Sequence, residues 1–163
     1  MKNMIKKRTG NLLGFLYCAG LMAYALFAQY VLELEPCPLC ILQRLAVIAV
    51  GIAFLLAFLH NPGTTGARVY ALLIAIAAGS GAFISGRHVW LQNLPADQVP
   101  ACGPGLDFML ESFPMLEVLQ MVLTGSGECA TIDWSLLGLS MPAWVFIALV
   151  FAGVVGVVNN LRR

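Results

Sequence analysis

Four apolar stretches, at residues 11–32, 41–59, 69–85 and 142–158, leave this chain very few folds to adopt. Each is close to the ~17–25 residues a helix needs to cross a bilayer. Inside lipid a backbone N–H or C=O finds no water, so such segments must be helices rather than open strands. Composition agrees: 60% of the 163 residues are hydrophobic and only 10% charged, whereas soluble domains carry roughly 25% charged residues. The expected fold is an all-α membrane protein, a four-transmembrane-helix bundle that makes one integral membrane domain over residues 1–163. A short loop at 33–40, a turn at 60–68 containing "NPGTTG" and a long loop at 86–141 join the spans.

The charges orient the bundle. Lys2, Lys6, Lys7 and Arg8 precede the first span, Arg68 lies in the second spacer, and Arg162 and Arg163 follow the fourth. With four spans these regions share one side, and none of them holds a carboxylate. Glu33, Glu35, Asp97, Asp107, Glu111, Glu117, Glu128 and Asp133 all fall on the other side, joined only by Arg44 and Arg87. Basic residues stay in the cytoplasm, so both termini are expected there and the long loop outside. A cleavable signal peptide would also explain basic residues before an apolar run. That run continues past Ala25 to Leu32, longer than a signal core, which favours an uncleaved anchor.

Of the five cysteines, Cys37 and Cys40 lie in the first outer loop, and Cys102 and Cys129 in the second. Cys18, inside the first span, reads as a packed thiol. Disulfides persist outside the cytosol, but four cysteines allow three pairings and spacing does not choose among them. Pro38 suits the first position of a helix, so the second span should start near Cys37 and carry Cys40 in its first turn. A thiolate at that point is favoured by the positive end of the helix dipole. Arg44 follows Cys40 by one turn on the same face, where its charge either stabilises a thiolate or holds a polar ligand group. The plainer readings are a snorkelling Arg44 and disulfides that merely staple the loops. Gln43 reads as interfacial. Cys37, Cys40 and two further cysteines could supply four thiolates to zinc, but Cys102 and Cys129 do not form a second close pair and the compartment favours oxidation; no metal is expected.

In the long loop, glycines and prolines flank both cysteines and suggest mobile arms. The segment "FPMLEVLQMVL" is too short to span, and its Glu117, Gln120 and Thr124 share one face. It should form a short helix lying on the membrane surface or packed on the bundle top. "RHVWLQ" places Arg87 and His88 just beyond the third span. There a histidine serves either as a hydrogen-bonding residue or as a proton donor near neutral pH. No phosphate loop, dinucleotide fingerprint or haem motif is present. Electrons taken from thiols would therefore need a lipid-soluble acceptor, and a quinone takes two.

The stretches "CPLCILQR", "RHVWLQ" and "GECATIDWSLLGLSMPAW", set on four spans, resemble the bacterial disulfide bond formation protein B (DsbB) family over the whole chain. The resemblance implies a protein-disulfide:quinone oxidoreductase of the bacterial inner membrane, using ubiquinone or menaquinone. Its partner would be a DsbA-like periplasmic thiol oxidase, with no role for nucleic acid. It further implies that Cys102 is the sulfur attacked by that partner and Cys129 its disulfide mate, able to pair with Cys37. Cys40 would be the thiolate that passes charge to the quinone ring, Arg44 would bind the quinone, and His88 would lie near its head group. DsbA-type oxidants sit near about −120 mV, so their reoxidation requires an acceptor at least that oxidising.

Overall fold

The computed structural model describes residues 2–95, 97–101 and 106–162. Cys102 lies outside them. Four long helices form the bundle: α1 (Lys2–Tyr30), α2 (Pro38–His60), α3 (Thr64–Gln92) and, last in the chain, α6 (Met141–Leu161). All four are long and apolar enough to cross a membrane. Between α3 and α6 lie α4 (Leu106–Ser112), α5 (Met115–Thr124), a 3-10 turn at Gly127–Ala130 and a two-stranded hairpin, β1 (Ser135–Leu136) with β2 (Leu139–Ser140).

Local chemistry sets the ends of these helices. Cys37 caps α2, its sulfur accepting from the Cys40 N–H at 3.4 Å, and Pro38 takes the first turn, where no backbone donor is needed. Asn61, left-handed at φ 42°, stops α2 and returns its N–H to Ala57. Only Asn61–Gly63 then separate α2 from α3, so the turn is tighter than the spacer expected at 60–68. At its other end α3 runs on to Gln92, well past the span expected at 69–85. An apolar window ends at the first charge, Arg87, but the helical hydrogen bonds do not. At 29 residues, α3 is about 43 Å long, longer than the ~30 Å hydrocarbon core. His88 stands one turn before its C-terminal end.

In cross-section, α3 packs mainly on α6, while α2 packs on both α1 and α3; α1 and α6 touch much less. The centre is filled by Cys18, Val50, Phe54, Ile74, Ala78 and Leu149. Phe54 needs close neighbours without side chains. A Cβ on Gly14 or Gly156 would come within 2.7 Å of its ring. Outward-facing Leu45, Ile52, Leu56, Leu72, Ile76 and Val154 present apolar surface all round the bundle, as lipid contact requires.

The long loop forms two short helices rather than one, split where Pro114 begins α5. Val118 and Val122 of α5 are buried with Leu39, Leu91, Met109 and Cys129 in a second apolar cluster. Met115, 72% exposed, and Leu116 lie on its open side, so the helix both packs on the bundle and keeps an apolar outer face. Arg87 fastens its end. The guanidinium donates to the carbonyls of Leu123 (2.7 Å) and Thr124 (3.1 Å), satisfying groups that a helix C-terminus leaves open.

Candidate active site

The α2 N-terminus, the last turns of α3 and the 3-10 turn meet in one polar cluster under the α5 helix. The Cys37 and Cys40 sulfurs lie 2.9 Å apart in the first turn of α2, where two residues between cysteines bring the side chains together. Cys129 arrives from the far end of the long loop. Its sulfur, that of Cys37 and a ring nitrogen of His88 all lie within 4.8 Å of one another. Cys37, Cys40 and Cys129 are unpaired thiols here.

Cys129 is 1% exposed, which differs from the mobile arm expected for it. Two bonds hold it. Its N–H donates to Ser126 O at 2.9 Å, closing the 3-10 turn, and its carbonyl meets His88 Nε2 at 3.0 Å. Flanking glycines allow the turn to form, but burial against Leu39 and Leu91 fixes it. The hydrogen bond with Cys37 pushes the Cys129 thiol above its ordinary value, and burial adds to the rise.

His88 is 2% exposed and joins all three elements. Its Nδ1 lies 2.9 Å from Gln43 Nε2 on α2, and Nε2 lies 3.8 Å from Cys37 Sγ as well as facing Cys129 O. A consistent assignment has the Gln43 amide donating to Nδ1, with the ring proton on Nε2 donating to the Cys129 carbonyl. Gln43 is only 3% exposed and so is not the interfacial residue its sequence context suggests. It follows Cys40 by three residues, on the same helix face, and that spacing was the available signal.

Arg44 points the other way, toward α1. Its Nη1 donates to Gln29 Oε1 and its Nη2 to Ala25 O at 3.3 Å. These partners tie the guanidinium to α1, and sequence reasoning missed Gln29. Beside Arg44 opens a cavity of about 840 Å³, lined by Cys37, Cys40, Gln43, Arg44 and His88 at its polar end. Tyr17, Leu21, Met22, Val145 and Phe151 line the apolar remainder, where α1 and α6 stand apart. Gln92 closes one edge of the site. It donates to Thr131 O at 3.4 Å and accepts from Ser140 Oγ at 2.6 Å, so it ties the loop and the hairpin to α3.

Such an arrangement defines a class: a bundle of four helices long and apolar enough to cross a membrane, with thiols, a histidine and an arginine lining an apolar cavity. The chain belongs to the DsbB family, because the family model for disulfide bond formation protein DsbB matches residues 7–159. It is 61% identical over 151 residues to disulfide bond formation protein B of Chromobacterium violaceum, covering 93% of this chain and 90% of that protein. The protein of the same name from Nitrosococcus oceani is 58% identical over 143 residues, covering 88% and 85%. The Hahella chejuensis protein is 54% identical over 150 residues, covering 92% and 91%. The chain is thus an oxidoreductase of disulfide formation with four membrane-spanning helices.

Proposed function

We propose that the chain is a protein-disulfide:quinone oxidoreductase that reoxidises a DsbA-like periplasmic thiol oxidase. In this reading it lies in a bacterial inner membrane with both termini cytoplasmic, as its lysines and arginines favour. The observation that carries the proposal is the series Cys129, Cys37 and Cys40, of which Cys37 and Cys40 line the cavity.

Electrons would enter at Cys102. A thiolate of the partner attacks Cys102, the Cys102–Cys129 bond breaks, and the electron pair leaves on Cys129. The Cys129 sulfur then attacks Cys37, breaking Cys37–Cys40 and leaving the pair on Cys40. Each exchange makes one S–S bond and breaks one, so no outside oxidant enters until Cys40 carries the charge. His88 Nε2 lies 3.8 Å from Cys37 Sγ and positions the sulfur that Cys129 attacks.

The cavity fits a ubiquinone or menaquinone head. It is apolar over most of its wall, and Arg44 and Cys40 are both among its lining residues. A bound quinone supplies a two-electron acceptor for the pair held on Cys40. Arg44, held by Gln29 and Ala25, keeps a fixed positive charge where anionic charge would gather. The test is absorbance-followed reduction of a soluble ubiquinone analogue by purified protein supplied with reduced DsbA-type protein. Turnover that disappears in Cys40→Ser and weakens in Arg44→Ala supports the path. Folded, oxidised protein with no turnover on any quinone would overturn it.

A further inference from the structure

We propose that the fully reduced protein holds one thiophilic divalent ion, of the zinc or cadmium kind, between Cys37, Cys40, Cys129 and His88. Three of these groups already place their donor atoms within 4.8 Å of one another, and the Cys40 sulfur is 2.9 Å from that of Cys37. A tetrahedral site with Zn–S near 2.3 Å and Zn–N near 2.0 Å has ligand-to-ligand edges of about 3.5–3.8 Å. The Cys37 Sγ to His88 Nε2 separation is 3.8 Å, so one edge of such a tetrahedron is already in place. The remaining sulfurs reach it by side-chain rotation.

The surroundings suit an ion as well. Metal-bound histidines use one ring nitrogen as ligand while the other is held by a hydrogen-bonding group, and Gln43 meets Nδ1 at 2.9 Å from a buried position. Turning the Gln43 amide lets its oxygen accept from Nδ1–H and frees Nε2 for the ion, at the cost of the bond to Cys129 O. Leu39 and Leu91, both buried, pack against Cys129 on one side of the cluster. The sequence argues against zinc because Cys102 and Cys129 are not a close pair. The fold removes that objection by bringing Cys129 and His88 to Cys37 and Cys40 from three separate elements.

Redox state decides occupancy. A Cys37–Cys40 disulfide removes two thiolate ligands at once, so the oxidised protein has no site. In the reduced protein the ion displaces the thiol protons and ties up the sulfurs that must exchange. The inference does not depend on the quinone reading, because binding is measured without turnover.

The experiment titrates Cd²⁺ into the full-length, detergent-solubilised protein, reduced under anaerobic conditions. It follows the thiolate-to-cadmium charge-transfer band, with Zn²⁺ competition against a chromophoric chelator. One ion per chain is expected in the reduced protein and none in the oxidised protein. Cys129→Ala and His88→Ala should each weaken binding at least tenfold, Gln43→Leu about tenfold, and Cys18→Ala not at all. His88→Gln replaces His88→Ala if the smaller side chain unfolds the protein. Reduced protein that takes up no ion, or Cys129 and His88 variants that bind as tightly as the parent, would overturn the proposal.

Discussion

Two polar clusters are buried in this bundle, at opposite ends, and they behave as chemical opposites. Near the chain termini, Asn11 of α1 meets Asn159 and Asn160 of α6. Asn11 Nδ2 donates to Asn160 Oδ1 at 3.1 Å, and Asn11 Oδ1 accepts from both partners at 3.2 and 2.9 Å. Spare donors reach Lys7 O and Gly156 O. At the other end Gln43, His88 and the cysteines also bridge helices through buried side chains. Both clusters solve the same problem, which is to satisfy polar groups away from water. Amides cannot ionise or exchange bonds, so the first cluster only fastens α1 to α6. Thiols can do both, so the second can turn over.

The comparison breaks most sharply on the cysteines. Replacing Cys37 or Cys40 by serine should abolish quinone reduction while leaving the thermal unfolding midpoint nearly unchanged. Next in size, Arg44→Ala should raise the quinone KM by about tenfold, equivalent to ~1.4 kcal/mol, with steady-state kinetics as the readout. An unchanged KM would return Arg44 to a purely structural role. At the asparagine end the pattern should invert. Asn160→Leu is expected to lose roughly 1–2 kcal/mol of stability in denaturant unfolding, yet keep its turnover per folded molecule. A fall in turnover per folded molecule there would mean the two ends are coupled.

Within the thiol cluster, Cys129 should react slowly. A raised Cys129 leaves little thiolate, so in reduced protein its alkylation should be slow near neutral pH. The rate should climb as the pH rises toward strongly alkaline values, and mass spectrometry of quenched samples reads it. Smallest of all, Leu116→Ser on the open face of α5 should change stability by no more than about 0.5 kcal/mol.

How far the sequence could be read follows from the range of each interaction. The four spans and the α2 start at Cys37–Pro38 depend on local pattern and are visible in it. His88 was legible as a candidate but not as part of α3, because hydropathy falls at Arg87 while the helix persists to Gln92. Gln43 read only as interfacial and Gln29 was passed over, since their importance lies in partners on other helices. The three asparagines were overlooked too, although polar residues in apolar spans usually mark an interhelical bond. Nothing local announces that Cys129 is buried beside Cys37. That contact depends on α5 docking through Val118 and Val122, which only tertiary packing decides.

The account rests on Cys129 standing next to Cys37, and one trapping measurement tests it. In a Cys40→Ser, Cys102→Ser double variant, mild oxidation followed by non-reducing peptide mapping reports which cysteines have joined. A stoichiometric Cys37–Cys129 bridge within one chain is expected. Cys37 and Cys129 both recovered as free thiols from folded protein would contradict the series of sulfurs on which the mechanism depends.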